Sequence, residues 1–135
     1  MIEYVDTVEG ITPGRLEGFF VGWPKAPSPE THLRILKGSA GVVLAVDSKD
    51  DRVVGFINAV SDGILSAYLP LLEVLPEYKG QGIGGELVRR MITRLKDYYM
   101  IDLVCDADMV PFYEKFGLKK MISMSIRRFD RQSGR

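Results

Sequence analysis

Apolar residues fill three segments in the middle of the chain almost without interruption. The segments Gly41–Val46, Val53–Val60 and Ile64–Val74 are predicted as strands, and short polar turns at 48–51 and 61–63 separate them. Turns this short join neighbouring antiparallel strands. The pattern therefore predicts an antiparallel meander.

Two short helices are predicted between a first strand, Ile2–Asp6, and the meander. They cover residues 12–20 and 29–37, and the segment Val21–Pro29, which leads from the first into the second, contains three prolines. Pro13 and Pro29 stand at the first helical positions, where proline is favoured, and Ser28 is expected to cap the second helix.

The apolar spacing changes after the meander. Apolar residues recur every fourth position and predict an amphipathic helix: Ile83, Leu87, Met91 and Leu95. A strand over Ile101–Cys105, a helix over 108–116 and a final strand over Leu118–Phe129 are predicted next. A helix that joins two strands of one sheet favours a parallel, right-handed crossover. Residues 1–135 are thus predicted as one α/β domain with a mixed sheet, an antiparallel meander plus one parallel βαβ unit.

Composition removes several classes of function. The chain has 46% hydrophobic residues, and its 18 basic residues balance 18 acidic ones, which gives no support to a nucleic-acid partner. Cys105 and His32 are the only residues of their types, so a cysteine cluster or a multi-histidine metal site is excluded and no metal is expected. Neither a signal peptide nor a membrane span is predicted, and we expect a cytoplasmic protein with no membrane partner.

Four glycines within six residues stand where the third meander strand leads into the amphipathic helix. Glycine permits sharp turns and close approach of a ligand to the backbone. The N–H groups of a first helical turn lack intrahelical acceptors and lie at the positive end of the helix dipole. Residues 80–85 are therefore predicted to bind phosphate.

Two known phosphate-binding patterns fit this turn poorly. A P-loop would need Lys and Ser or Thr after its last glycine, where Glu86 and Leu87 stand. A dinucleotide fingerprint matches Gly80, Gly82 and Gly85, but it normally opens a large parallel sheet, whereas here it follows an antiparallel meander.

A third pattern, Lys79-x-x-Gly82-x-Gly84, fits better. The stretch LLEVLPEYKGQGIGGELVRRM (71–91) resembles motif A of the GNAT superfamily of acetyl-CoA-dependent N-acetyltransferases, and DADMVPFYEKFGLKKM (106–121) resembles its motif B. The resemblance covers residues 41–129 well and the first 40 residues loosely. Lys79 replaces the usual Arg or Gln, and Met109 stands where the family often has Ala.

The resemblance implies acetyl transfer from acetyl-CoA to a primary amine of a small molecule or peptide by direct attack. It also implies a bulge or splay in the third meander strand that frees backbone groups for the acyl arm. The residues implied to bind acetyl-CoA are Leu72, Glu73, Val74, Lys79, Gly80, Gln81, Gly82, Ile83, Gly84 and Gly85. Lys79 either adds charge at the pyrophosphate or points to solvent.

Two tyrosines are the implied catalytic residues. Tyr113 of motif B would protonate the departing thiolate, since a phenol can donate to a thiolate. Tyr68, assigned to the same strand face as Leu72, would order a water that takes the ammonium proton, although core packing explains it equally well. Glu73, assigned to the opposite face, is set aside, and no single side chain is expected to be an essential base.

The remaining candidates carry alternatives. His32 is expected to be a surface or half-buried structural residue, and Cys105 a small buried hydrophobe. Phe19, Phe20 and Trp23 predict either a hydrophobic plug or a lid over the acceptor site. A module that binds acetyl-CoA as a sensor, without turnover, is the alternative function, and a homodimer is a further hypothesis.

Overall fold

The computed structural model describes all residues, 1–135. The strands are β1 (Ile2–Val5), β2 (Gly41–Asp47), β3 (Arg52–Ser61), β4 (Ser66–Tyr68), β5 (Leu72–Val74) and β6 (Met100–Asp102). The α-helices are α1 (Pro29–Lys37), α2 (Ile83–Arg94) and α3 (Val110–Glu114). None of the helices is both long and apolar enough to cross a lipid bilayer.

One mixed sheet organises the fold. Its order is β1-β2-β3-β4-β6, and β5 pairs with β3 beyond the end of β4. All pairs are antiparallel except β4 with β6, which are parallel. Because α2 lies between β5 and β6 in the chain, the predicted α/β architecture, a meander leading into one parallel unit, is confirmed.

The first face of the sheet is covered by α2. Ile83 and Leu87 of this helix are buried and approach Gly55 of β3 so closely that a Cβ there would lie 3.2 Å from a side-chain carbon of each. Glycine at this position therefore lets helix and sheet pack in direct contact.

The second face of the sheet is covered by α1 and the segment before it. The Ser28 side chain accepts a hydrogen bond from the Thr31 N–H at 3.2 Å, as the predicted cap requires. His32 of α1 lies between Phe19, Phe20 and Phe56, with ring centroids 4.4–5.3 Å apart. It is structural, as expected, but only 1% exposed, and neither ring nitrogen has a hydrogen-bond partner.

We expect His32 to make folding sensitive to acid. Burial lowers the pKa of His32 from 6.5 to about 4. The unfolded chain therefore binds the proton more tightly, so stability is complete above about pH 6.5 and falls as the pH drops towards 4. At pH 5 the loss should be about 2 kcal/mol. Urea unfolding of wild type and His32→Leu at pH 7 and pH 5 measures it, and an equal loss in both proteins would contradict the assignment.

A bulge divides the predicted third meander strand, Ile64–Val74, into β4 and β5. Tyr68 pairs with Val60, and Leu72 pairs with Ile57. Three residues, 69–71, therefore face two residues of β3, and an extra residue of this kind bends a strand. The prediction of one continuous strand was wrong, whereas the bulge implied by the family resemblance is present.

Asn58 holds the bulge in place. Its side chain is 1% exposed, accepts the Leu71 N–H at 3.1 Å and donates to the Ser39 hydroxyl at 3.1 Å. Pro70, at the centre of the bulge, has no N–H to satisfy. The local sequence therefore tolerates the break, and a buried amide from the neighbouring strand fixes its position.

Several predicted elements are shorter in the structure. The helix predicted over 12–20 is one 3₁₀ turn, Pro13–Leu16, and the helix over 108–116 is a 3₁₀ turn followed by α3. The strand predicted over Ile101–Cys105 is Met100–Asp102, because β6 has a partner only along the three residues of β4.

The predicted final strand, Leu118–Phe129, was wrong. Residues 118–128 belong to no helix or strand and pair with no other segment of the chain. We call them the edge segment. The alternating sequence has strand character, but a strand needs a partner edge, and within this chain the edge segment has none.

Candidate active site

A cleft of about 820 Å³ opens between β5 and the chain that follows β6. Its lining comprises Trp23, Ile57, residues 69–74, Tyr78, Lys79, Gly80, residues 82–85 and 103–106, Met109, Phe112, Tyr113 and Arg127. Of the residues predicted to bind acetyl-CoA, all but Gln81 line this cleft. Tyr113 lines it as well, so the two motifs that lie far apart in sequence meet here.

The cleft exists because the parallel strands β4 and β6 separate at one end. The last hydrogen bond between these two stretches of chain is donated by the Leu69 N–H to the Asp102 carbonyl at 2.9 Å. Beyond it, β5 is paired only with β3.

The outer edge of β5 therefore offers free backbone groups to the cleft. Leu75 donates its N–H to Val54 at 2.8 Å, and backbone groups alternate in direction along a strand. The N–H and C=O groups of Leu72 and Val74 consequently face the cleft, and those of Glu73 face β3. Free backbone groups are thus available at two of the three residues predicted to provide them.

The glycine turn presents a row of unpaired donors. The first N–H of α2 with an acceptor belongs to Glu86, which donates to the Gly82 carbonyl at 3.1 Å. The six preceding N–H groups, of residues 80–85, donate to no protein atom. Gly80 and Gly82 have φ of +81° and +82°, a region that favours glycine, and no atom lies within 4 Å of a Cβ built on either. The turn can thus receive an anion directly on its backbone.

Two interactions fix the residues just before the glycine turn. The Tyr78 hydroxyl donates to Asp47 of β2 at 2.6 Å, which raises the pKa of Tyr78 to about 12 and lowers the pKa of Asp47. Arg52 of β3 pairs with Glu77 at 3.1 Å. The turn is therefore anchored to the sheet on the side from which the chain enters it.

Tyr113 is a half-buried phenol on α3. Burial, and secondarily the neighbouring Cys105, raise the pKa of Tyr113 above its ordinary value of 10.0. Its ring packs edge-on against Phe112, with 4.9 Å between the centroids, and its hydroxyl donates to no protein atom. The group is consequently protonated at neutral pH and free to donate a proton into the cleft.

The bulge changes the assignment of strand faces. Tyr68 and Leu72 pair with Val60 and Ile57, which are three positions apart on β3 and so lie on opposite faces. Glu73 pairs with Phe56, four positions from Val60, and shares the face of Tyr68. The prediction that Tyr68 shares a face with Leu72, and that Glu73 lies opposite, was therefore wrong. Tyr68 lines a neighbouring slot rather than the cleft.

Glu73 connects β5 to the loop before α1. Its two carboxylate oxygens accept the N–H groups of Phe20 and Val21 at 2.8 and 3.2 Å. Phe20 has φ of +62°, unusual for a bulky residue, and these bonds help to hold it there. Sequence reasoning missed this role, because the partners lie more than fifty residues apart and only the fold brings them together.

Of the aromatic residues Phe19, Phe20 and Trp23, two form a hydrophobic plug and one lies at the cleft. Phe19 and Phe20 are 9% and 4% exposed and fill the core under α1, so they form the plug. Trp23 packs against Phe20 with centroids 5.0 Å apart, is 39% exposed and lines the cleft. It thus provides aromatic surface at the cleft wall.

Two further residues at the cleft were missed or misjudged. Cys105 was expected in a buried strand, but it follows the end of β6 and lines the cleft beside Tyr113. Arg127 of the edge segment also lines it. No sequence signal marked Arg127, because the predicted strand did not specify which part of the sheet it would approach.

Comparison with known proteins gives a consistent result. Residues 9–118 match the sequence model of the acetyltransferase (GNAT) family. The uncharacterized N-acetyltransferase ycf52 of Pyropia yezoensis is 31% identical over 104 residues, which cover 74% of this chain and 59% of the relative. The chain therefore spans somewhat more than half the length of that curated relative.

Solved structures agree over nearly the whole chain. A candidate acetyltransferase from Deinococcus radiodurans R1 is 53% identical and superposes with a TM-score of 0.94 over 98% of this chain and 92% of its own. A GNAT-family acetyltransferase from Streptococcus pneumoniae TIGR4 is 30% identical, with a TM-score of 0.75 over 95% of this chain and 99% of its own.

Proposed function

The chain belongs to the acetyltransferase (GNAT) family, and we propose that it transfers the acetyl group of acetyl-CoA to a primary amine of a small molecule or peptide. One observation carries the proposal. The unpaired N–H groups of Gly80 and residues 82–85, the free backbone edge of β5 and the Tyr113 phenol line a single cleft. These are respectively an anion site, a site for an extended amide-bearing arm, and a proton donor.

The chemistry of the cleft fits acetyl-CoA as co-substrate. The pyrophosphate would accept hydrogen bonds from the amides of residues 80–85, with Lys79 at the rim adding positive charge. The amide-bearing arm would pair with Leu72 and Val74 in the place where a neighbouring strand is missing. When bound, acetyl-CoA supplies an acetyl group already activated as a thioester.

The residues near the acyl end have separate tasks. A backbone N–H of β5 would donate to the acetyl carbonyl oxygen as negative charge develops, an interaction worth about 3 kcal/mol in other enzymes. The amine nitrogen forms a bond to the acetyl carbon as the carbon–sulfur bond breaks. One proton of the acceptor ammonium would leave through water before the attack. Tyr113 would give its proton to the departing sulfur and regain one, through water, from the nitrogen that becomes the amide.

Acceptor recognition is assigned to the wall formed by Trp23 and the loop before α1. Glu73 holds this loop through the Phe20 and Val21 amides, so the acceptor side and the acetyl-CoA side share strand β5.

A cytoplasmic location, expected from the sequence, stays a prediction.

We expect no single side chain to act as an essential base. His32 is sealed in the core, and both oxygens of Glu73 are engaged by amides. The rate should therefore rise with pH towards the pKa of the amine itself, without a plateau near pH 6 to 7. Tyr68→Phe should leave the rate nearly unchanged, because Tyr68 lines the neighbouring slot and not the cleft, so its hydroxyl is not placed to order water at the amine. The pH profile of kcat/KM checks this.

Glu73→Gln separates a positioning role from a basic one. It should raise KM for the amine, because the loop is held less firmly, and leave the shape of the pH profile unchanged. A plateau near neutral pH in wild type that disappears in this variant would identify Glu73 as the base and contradict the expectation.

Turnover itself is tested by release of free CoA thiol from acetyl-CoA in the presence of a panel of primary amines and amino-terminal peptides. We expect thiol release that depends on the amine, with acetylated product confirmed by mass. Calorimetric binding of acetyl-CoA without release by any amine would favour a binding module without turnover.

A further inference from the structure

The edge segment exposes an unusual concentration of apolar side chains. Met121, Ile122, Met124 and Ile126 are 86%, 98%, 96% and 74% exposed. They lie within six consecutive residues and include neighbours, so both faces of the segment are apolar and open. Monomeric proteins rarely leave such a patch in water.

The backbone of the edge segment is equally unpaired. No N–H of residues 118–128 donates to another segment. Yet both ends are held, since the Gly117 N–H donates to Glu114 of α3 at 3.1 Å and the Gln132 side chain accepts the Lys25 N–H at 3.2 Å. The segment thus spans an opening between two fixed points with its backbone N–H groups unused.

A slot of about 1060 Å³ separates the edge segment from the sheet. One wall is the edge segment, and the other is the outer side of β6 and its continuation to Cys105. Strand β6 pairs only with β4, so its second edge is also free. Two unpaired edges therefore face each other across an apolar gap.

We propose that the slot receives the edge segment of a second copy of this chain, so that two chains form an interdigitated two-fold dimer. In its own chain the segment forms one wall of the slot and leaves the slot open. The two-fold axis that places the partner's segment in this chain's slot also places this chain's segment in the partner's slot. The strand order across the dimer is then β6, the partner's edge segment, this chain's edge segment and the partner's β6. The interface is self-complementary and closes.

Charge on the wall opposite the edge segment supports this occupant. The edge segment carries Lys119, Lys120, Arg127 and Arg128 and no acidic residue. The opposite wall carries Asp102 of β6 and Glu114 of α3 and no lysine or arginine. On its β6 side, an inserted basic apolar strand thus meets carboxylates and apolar side chains.

The dimer would also complete the acetyl-CoA cleft. Tyr113 and residues 103–105 line both the slot and the cleft, so the partner's segment would close the side of the cleft beside the phenol. Arg127, which lines the cleft in the single chain, would be fixed there by strand pairing on both sides.

Sedimentation equilibrium tests the association independently of any enzymatic activity. We expect wild type at micromolar concentrations to have twice the mass of the chain. Ile122→Asp should give a folded protein of single-chain mass, because this side chain contacts nothing within its own chain. The control is Ile64→Asp, equally apolar and 82% exposed but outside the slot, which should remain a dimer. A monomeric wild type, or a dimer unaffected by Ile122→Asp, would overturn the proposal.

Cysteine crosslinking tests the arrangement of the strands. Single cysteines placed at positions 122–126 should form disulfides with Cys105 of the other copy, which peptide mapping locates and Cys105→Ser removes. A disulfide to Cys105 within one chain should not form, because two strand spacings of about 4.8 Å separate the segment from its own β6. An intrachain disulfide at high yield would show that the segment closes onto its own sheet and would overturn the exchange.

Discussion

Tyr113→Phe should lower kcat by roughly 10- to 1000-fold, the range for loss of a general acid with water as a partial substitute. The hydroxyl makes no hydrogen bond within the protein, whereas the ring packs against Phe112. Removing the oxygen therefore removes a proton donor and leaves the packing unchanged. KM for acetyl-CoA and the unfolding free energy should change little.

Steady-state thiol release measures the effect, and Tyr99→Phe is the matched control. Tyr99 is 83% exposed and lines the slot but not the cleft, so its loss of a hydroxyl should leave kcat unchanged. If Tyr113→Phe retained full kcat, the residue would be assigned to packing, and protonation of the thiolate to solvent.

Gly82→Asp should remove acetyl-CoA binding. The substitution places a carboxylate beside the row of free amides and strains a backbone at φ of +82°. Wild type at 100 times its Kd should be stabilised by about 2.7 kcal/mol, which corresponds to a rise in Tm of several degrees. The variant should show no rise at the same concentration of acetyl-CoA.

The control for backbone strain is Gly63→Asp. Gly63 has φ of +79° in a turn outside the cleft, and no atom lies near its Cβ position. Gly63→Asp should lower the Tm of the free protein by about as much as Gly82→Asp does. It should still show the full rise in Tm with acetyl-CoA. NADH should shift neither wild type nor variant, and a shift with NADH would revive the dinucleotide interpretation of the turn.

The elements that depend on local patterns were predictable. The glycine turn, the Ser28 cap and the apolar stripe of α2 are encoded within a few neighbouring residues, and the structure has each of them at the predicted place. Tyr113 was predicted only from the resemblance to motif B. Its distance along the sequence from the glycine turn does not reveal that α3 lies at the same cleft.

The bulge shows where local reasoning fails. Strand faces were assigned by counting in twos along 64–74, and one extra residue reverses that count. Pro70 was the only local sign of a break, and the register is fixed by Asn58 of β3. The error moved Glu73 to the wrong face and hid its bonds to the loop before α1.

The edge segment and His32 show a second limit. Alternating residues predict a strand, but they do not identify the edge with which it pairs. Similarly, the neighbours of His32 along α1 do not reveal that three phenylalanine rings enclose it. Both properties depend on residues distant in sequence or, for the edge segment, on a second chain.

A crystal structure with bound CoA would show whether the cleft between the parted strands holds the co-substrate. We expect pyrophosphate oxygens at about 3 Å from amides of residues 80–85, an arm paired along Leu72 and Val74, and the sulfur within reach of the Tyr113 hydroxyl. A pyrophosphate bound elsewhere on the protein, or a sulfur remote from Tyr113 with the arm outside the parted strands, would contradict this expectation.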